Sequence, residues 1–149
     1  MHSPLTQLEQ LVLTSKSKTF LREISKWTFF FSIIGFIGIA FLVIGAVLLG
    51  TVYAPMLDMI GQQQGVASIS LGLMITYLVM ALLYFMPVLY LFKFSRKMKL
   101  ALANKNDDIL ADAFENLKSH YKFIGVLTII MISLYVLIIG FSLVAGSLL

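Results

Sequence analysis

The stretch Lys93–Lys122, KFSRKMKLALANKNDDILADAFENLKSHYK, is a polar segment set between two long apolar runs, and it carries seven of the chain's eleven Lys and Arg residues. Phe94, Met98, Ala101 and Leu102 recur at helical spacing on its outgoing side, and Leu110, Ala113, Phe114, Leu117 and Tyr121 on its returning side. Asn104-Lys105-Asn106 interrupts the two patterns. Asn106 or Asp107 can cap the second helix, with Asp107 and Asp108 in a first turn where negative charge suits the helix dipole.

Two helices paired antiparallel about this turn are expected to bring Arg96 near Glu115 and Lys99 near Asp112. The same pairing sets Phe94, Met98 and Leu102 against Leu110, Phe114 and Leu117. Exposed ion pairs contribute only about 0–1 kcal/mol each, so the charges would select register or partner and the apolar seam would hold it. A competing arrangement lays residues 107–120 flat on a membrane surface. Its acidic residues argue against that beside anionic lipid.

Working outward, the flanks are too apolar for a soluble domain. The 149 residues are 60% hydrophobic and 12% charged with a mean hydropathy of +0.97, whereas soluble domains carry roughly 25% charged residues. The expected fold class is an all-α polytopic membrane protein with three transmembrane helices, an N-terminal amphipathic helix and a cytoplasmic helical hairpin extending spans 2 and 3. The spans are placed at about 27–52, 70–92 and 123–145, with the hairpin at 93–122 inside a membrane domain of 27–149. Trp27 and Tyr53 bracket an uncharged run longer than the ~20 residues needed to cross the hydrocarbon, at the positions aromatic belts occupy.

Residues 1–26 read as a basic amphipathic arm. Leu5, Leu8 and Val12 form one face, residues 14–19 break the pattern, and a second piece with Phe20, Leu21, Ile24 and Trp27 lies along the headgroups. The arm is not expected to be a signal peptide, because the apolar run starts too late and is too long. In the first connection, Pro55 can open a short helix to Ile60 before the turn 61–65, and Ser68 or Ser70 can cap the second span. Pro87 predicts a local kink near that span's end.

Gly35, Gly38, Gly45 and Ala46 fall within roughly a 100° arc of the first span. Such a smooth strip lets another helix approach closely, and it predicts a homo-oligomer or a subunit of a larger membrane complex. All eleven Lys and Arg lie in the arm and the hairpin, and none in the first connection or the C-terminal tail. The positive-inside rule then places the N-terminus and hairpin in the cytoplasm and the C-terminus outside.

Chemistry is sparse. There is no cysteine, no His/Glu metal spacing and no glycine-rich phosphate loop, and the two histidines are His2 and His120. No ionisable residue lies inside the spans, which disfavours a coupled carrier. The expectation is no enzyme, cofactor, metal or nucleic acid. Anionic lipid headgroups and a membrane partner or second copy remain as ligands. The leading function is an oligomeric scaffold or accessory subunit acting through the hairpin. The alternative is a homo-oligomeric channel lined by span hydroxyls, with Asp58 as an outer acidic ring.

Ser25-Lys26-Trp27, the basic exit from Leu91 to Leu102, the run from Asn106 to Lys118 and Tyr121-Lys122-Phe123-Ile124-Gly125 together resemble a family of small bacterial integral membrane proteins catalogued as a domain of unknown function. The resemblance spans about residues 20–140. It implies a bacterial inner membrane and supplies no functional residues.

Overall fold

The computed structural model describes residues 13–59 and 66–147, and their side chains except those of 57, 58, 66–68 and 144–147. All described regular structure is helical. Helix α1 (Ser15–Leu48) passes through a π-helical turn (Leu49–Tyr53) into the short α2 (Ala54–Met59). Helices α3 (Val66–Asn104) and α4 (Asp107–Ser147) follow. Three helices are long and apolar enough to cross a membrane.

The ends are set by local hydrogen bonding. Thr14 caps α1, its Oγ1 accepting from the Ser17 N–H at 3.2 Å. Residues 14–19, expected as a break, therefore start a helix that runs unbroken into the first span, so Phe20, Leu21 and Ile24 lie on the span's own helix. The expected face of Leu5, Leu8 and Val12 and the turn at 61–65 lie outside the described residues. Helix α3 begins at Val66, so Ser68 and Ser70 stand inside it instead of capping it.

The π turn has a cause in the sequence. Pro55 has no N–H, and in a regular α-helix its ring would press on the carbonyl of Thr51. The last π bond runs from the Ala54 N–H to the Leu49 carbonyl, directly before the proline. Widening the turn there keeps the helix continuous where the sequence suggests that the first span stops.

Helices α1 and α3 pack antiparallel, as do α3 and α4, while the backbones of α1 and α4 do not approach one another. The molecule is thus a row of three helices with α3 in the middle. At about 1.5 Å per residue each long helix exceeds 50 Å, well beyond the ~30 Å of a hydrocarbon core. Their polar ends, residues 15–26 of α1, 93–104 of α3 and 107–122 of α4, gather on one side as a head.

The α1–α3 seam repeats every seven residues, with Ser25, Ser32 and Ala46 buried on α1 and Ala81 and Ser95 buried on α3. This is the period of left-handed, coiled-coil-like packing. A Cβ on Gly35 would come within 2.7 Å of Val88 Cγ2, so that glycine is what lets α3 approach. Gly45 faces Tyr77 at ordinary contact distance, and Gly38 faces open space. The small strip is therefore occupied by the chain's own second span at Gly35, Gly45 and Ala46. It cannot by itself argue for a second copy. Gly50, absent from the expected strip, lies closest of all, with Met74 Sδ 2.5 Å from where its Cβ would stand.

Beside the small residues runs an aromatic ladder. Phe29 meets Phe92 at 5.8 Å between centroids, Phe92 meets Phe36 at 5.7 Å, and Phe36 meets Phe85 at 6.2 Å. Each such pair adds about 0.5–1.5 kcal/mol beyond its area burial. Five hydroxyls inside the apolar stretches are satisfied within their own helices: Thr28, Ser32, Thr76, Ser133 and Ser142 each donate to a carbonyl one turn back.

Candidate functional site

The head is the one region where polar chemistry and a built core coincide. Its core is Phe94, Met98 and Ala113, with Leu21, Leu102, Leu110 and Leu117 packed against it. Leu21 belongs to α1, so the N-terminal segment joins the head as a third wall. Across the hairpin the seam uses Ala113, which is fully buried, whereas Phe114 is 44% exposed. The expected Phe114 contact is thus replaced by its neighbour. One residue is a 100° rotation, and the small Ala113 lets α4 lie closer to Phe94 and Met98 than a phenylalanine would.

The reversal is built from two residues. Lys105 takes a left-handed conformation, φ 52°. The Asn106 N–H then bonds to the Ala101 carbonyl at 3.2 Å, closing α3 with a Schellman-type bond. Asn106 Oδ1 in turn accepts from the Ile109 N–H at 3.0 Å and caps α4, with Asp107 and Asp108 in its first turn.

The ion pairs differ from expectation. Lys97 Nζ lies 2.8 Å from Asp112 Oδ2, the only salt bridge among the described residues. The expected contacts Arg96–Glu115 and Lys99–Asp112 are not formed. Arg96 instead lies 5.7 Å from the centroid of the Phe92 ring, and Lys99 lies 4.3 Å from the centroid of the Phe29 ring on α1. Both cations sit on the α1 side of α3, held by the aromatic ladder, and this leaves Lys97 as the lysine facing α4. The Lys97–Asp112 pair is about half exposed and contributes ~0–1 kcal/mol, so the apolar core carries the head.

Two polar contacts join the helices at the base of the head. Ser95 Oγ donates to the Ser25 carbonyl at 2.7 Å across the α1–α3 seam. His120 Nδ1 lies 2.8 Å from the carbonyl oxygen of Pro87. A carbonyl only accepts, so Nδ1 carries the proton and His120 cross-links α4 to α3. Neither contact is legible in the chain, since both join residues far apart in sequence with no pattern between them. Among the described residues no group of three or more metal-ligating side chains gathers. Asp58 lies in α2, and its side chain is outside the described set.

The head's charge is one-sided. All eleven Lys and Arg are in it, against Glu23, Asp107, Asp108, Asp112 and Glu115. Beyond the head the packing thins, and every described side chain of α4 from 128 to 143 is exposed. A Cβ added at Gly125 or Gly140 would meet nothing within 4 Å.

A family model for a family of unknown function, DUF5362, matches residues 56–143. The chain belongs to this family. The match begins within α2, after α1, and covers α3, the reversal and α4 as far as residue 143. No curated protein and no solved structure matches the chain.

Proposed function

We propose that the chain is a non-enzymatic integral membrane protein of the bacterial cytoplasmic membrane, acting as an oligomeric scaffold or accessory subunit whose helical head is the contact surface. The observation that carries this reading is the contrast in packing along α4. Its head portion is locked by a core, a cap, an ion pair and the His120 bond, whereas the side chains of residues 128–143 are all exposed among the described residues. A span exposed on every side, with open positions at Gly125 and Gly140, offers a neighbouring membrane helix close approach.

The placement of all Lys and Arg at one end supports a cytoplasmic head, with α2 and the C-terminal end of α4 on the outer side. Arg96, beside the Phe92 ring, and Glu115 are both exposed on the head and accessible to a partner. A pore lined by span hydroxyls is less well supported, because Thr76, Ser133 and Ser142 already donate to their own helices.

Native mass spectrometry of the full chain in nanodiscs tests the scaffold, comparing wild type with Arg96→Glu/Glu115→Lys. A changed assembly mass or a lost co-purifying subunit, with membrane insertion intact, is the expected result. A wild-type monomer without any partner removes this reading.

A further inference from the structure

The charge of the head converges at one place. Arg22 and Lys26 stand one turn apart on α1, and Lys99 joins them from α3. With Ser25, Leu102 and Ala103 they line a groove of about 320 Å³ between the two helices. The Ser95 hydroxyl, bonded to the Ser25 carbonyl, ties the two helices together beside it.

Lys99 turns toward the apolar side. Its ammonium sits 4.3 Å from the centroid of Phe29, a ring that lies deeper along α1 than Lys26. A lysine at a membrane interface ordinarily carries its charge outward to water. Here the Phe29 ring draws it toward the apolar side, into the groove that Lys26 also lines. None of the three cations is in a salt bridge, since Lys97–Asp112 is the only one among the described residues. Glu23, the nearest carboxylate in sequence, lines the next groove around α1 and not this one.

Three like charges brought together from two helices repel one another unless an anion lies among them. The neighbouring groove shares Arg22 and Lys26 and continues past Trp27 to Phe30. A phosphate held by the cations would thus have the rings of Trp27 and Phe30 leading from it toward the spans, with Thr19 and Glu23 also lining that groove.

We propose that this groove is a binding site for the phosphate of an anionic glycerophospholipid. Arg22 presents a planar fork to two phosphate oxygens, and Lys26 and Lys99 supply point charges from either side. The acyl chains descend past Trp27 and Phe30. The site rests on the membrane placement proposed above, but not on any partner or oligomer.

The test is native mass spectrometry of the full chain exchanged into mixed phosphatidylglycerol and phosphatidylcholine nanodiscs, counting lipids retained on release. The groove variant is Arg22→Gln/Lys26→Gln/Lys99→Gln. A control, Lys93→Gln/Lys105→Gln/Lys118→Gln, removes the same charge from the head elsewhere. Wild type and control are expected to retain phosphatidylglycerol, and the groove variant to lose it roughly tenfold or more, since three charge-assisted contacts go at once. Equal loss in the control, or equal retention of phosphatidylcholine, overturns the site in favour of diffuse attraction.

Inorganic phosphate titrated onto lipid-stripped protein separates the two sources of the anion. Binding as tight as that of short-chain phosphatidylglycerol overturns the lipid assignment, and much weaker binding supports it. Should the triple variant lose helicity, Lys99→Gln and Lys26→Gln are measured singly, and each is expected to show a partial loss. The same spectra report assembly mass, so a failed lipid site and a failed scaffold are read separately.

Discussion

The two ends of α4 are built on different principles. Residues 107–122 form part of the head, where alternating apolar and polar positions select one face, and Leu110, Ala113 and Leu117 pack with Phe94 and Met98 of α3 in one core. Residues 128–143 are predominantly apolar on all sides, and among the described residues every one of their side chains is exposed. The same helix is therefore specified by packing at one end and by length and composition alone at the other. In water the exposed end would be untenable. In a bilayer it costs nothing, because lipid is as apolar as the side chains. The two ends thus differ in the surroundings that would tolerate them.

The contrast is broken most severely by emptying the head. Phe94→Ala is expected to cost about 3–5 kcal/mol, since the side chain is fully enclosed at the centre of the head's core. Reversible unfolding of the head, followed by circular dichroism in mild detergent, measures it. An effect below about 1 kcal/mol would mean that the head is not a cooperative core.

Glycine substitutions sharpen the comparison. Gly35→Ala pushes a methyl against Val88, a β-branched, stiff side chain, and is expected to destabilise by about 1–3 kcal/mol. Gly140→Ala meets open space within the chain and is expected to be neutral or slightly stabilising in the monomer. If Gly140→Ala lowers assembly mass in nanodiscs instead, the uncovered end of α4 is an interface between subunits.

Smaller effects come from the reversal. Asn106→Ala removes the side-chain acceptor for the Ile109 N–H and should cost about 1 kcal/mol. Lys105→Gly relieves a left-handed lysine and should stabilise by about 1 kcal/mol in the same assay. The least consequential change is Asp112→Asn, expected to lower stability by less than about 1 kcal/mol and to lose that effect in high salt, because the Lys97 pair is exposed.

Much of this is readable from residues in order. The reversal at Lys105–Asn106, the cap and the acidic first turn depend on hydrogen bonds spanning three to five residues, so local sequence carries them. The partners across the seam are harder. Spacing alone turns Arg96 and Lys99 toward α4, and the phenylalanines that draw them toward α1 belong partly to a helix some 70 residues away in sequence, at Phe29. Ala113 displaces Phe114 for a related reason: side-chain volume at a close crossing, and not hydrophobicity, chooses between adjacent apolar residues.

By itself the sequence determined that the chain is helical, that three stretches are long and apolar enough to cross a membrane, and that all of its Lys and Arg gather at one end. Length, composition and capping are local quantities, and a linear reading suffices for them. The tertiary structure decided which faces meet: α3 in the middle, Gly35 beneath Val88 and Gly50 beneath Met74, Leu21 in the head, Lys97 on Asp112, and His120 on the Pro87 carbonyl. A helix that is apolar all round has no periodicity to name its buried side. Only the fit of small residues against large ones on the neighbouring helix can choose it.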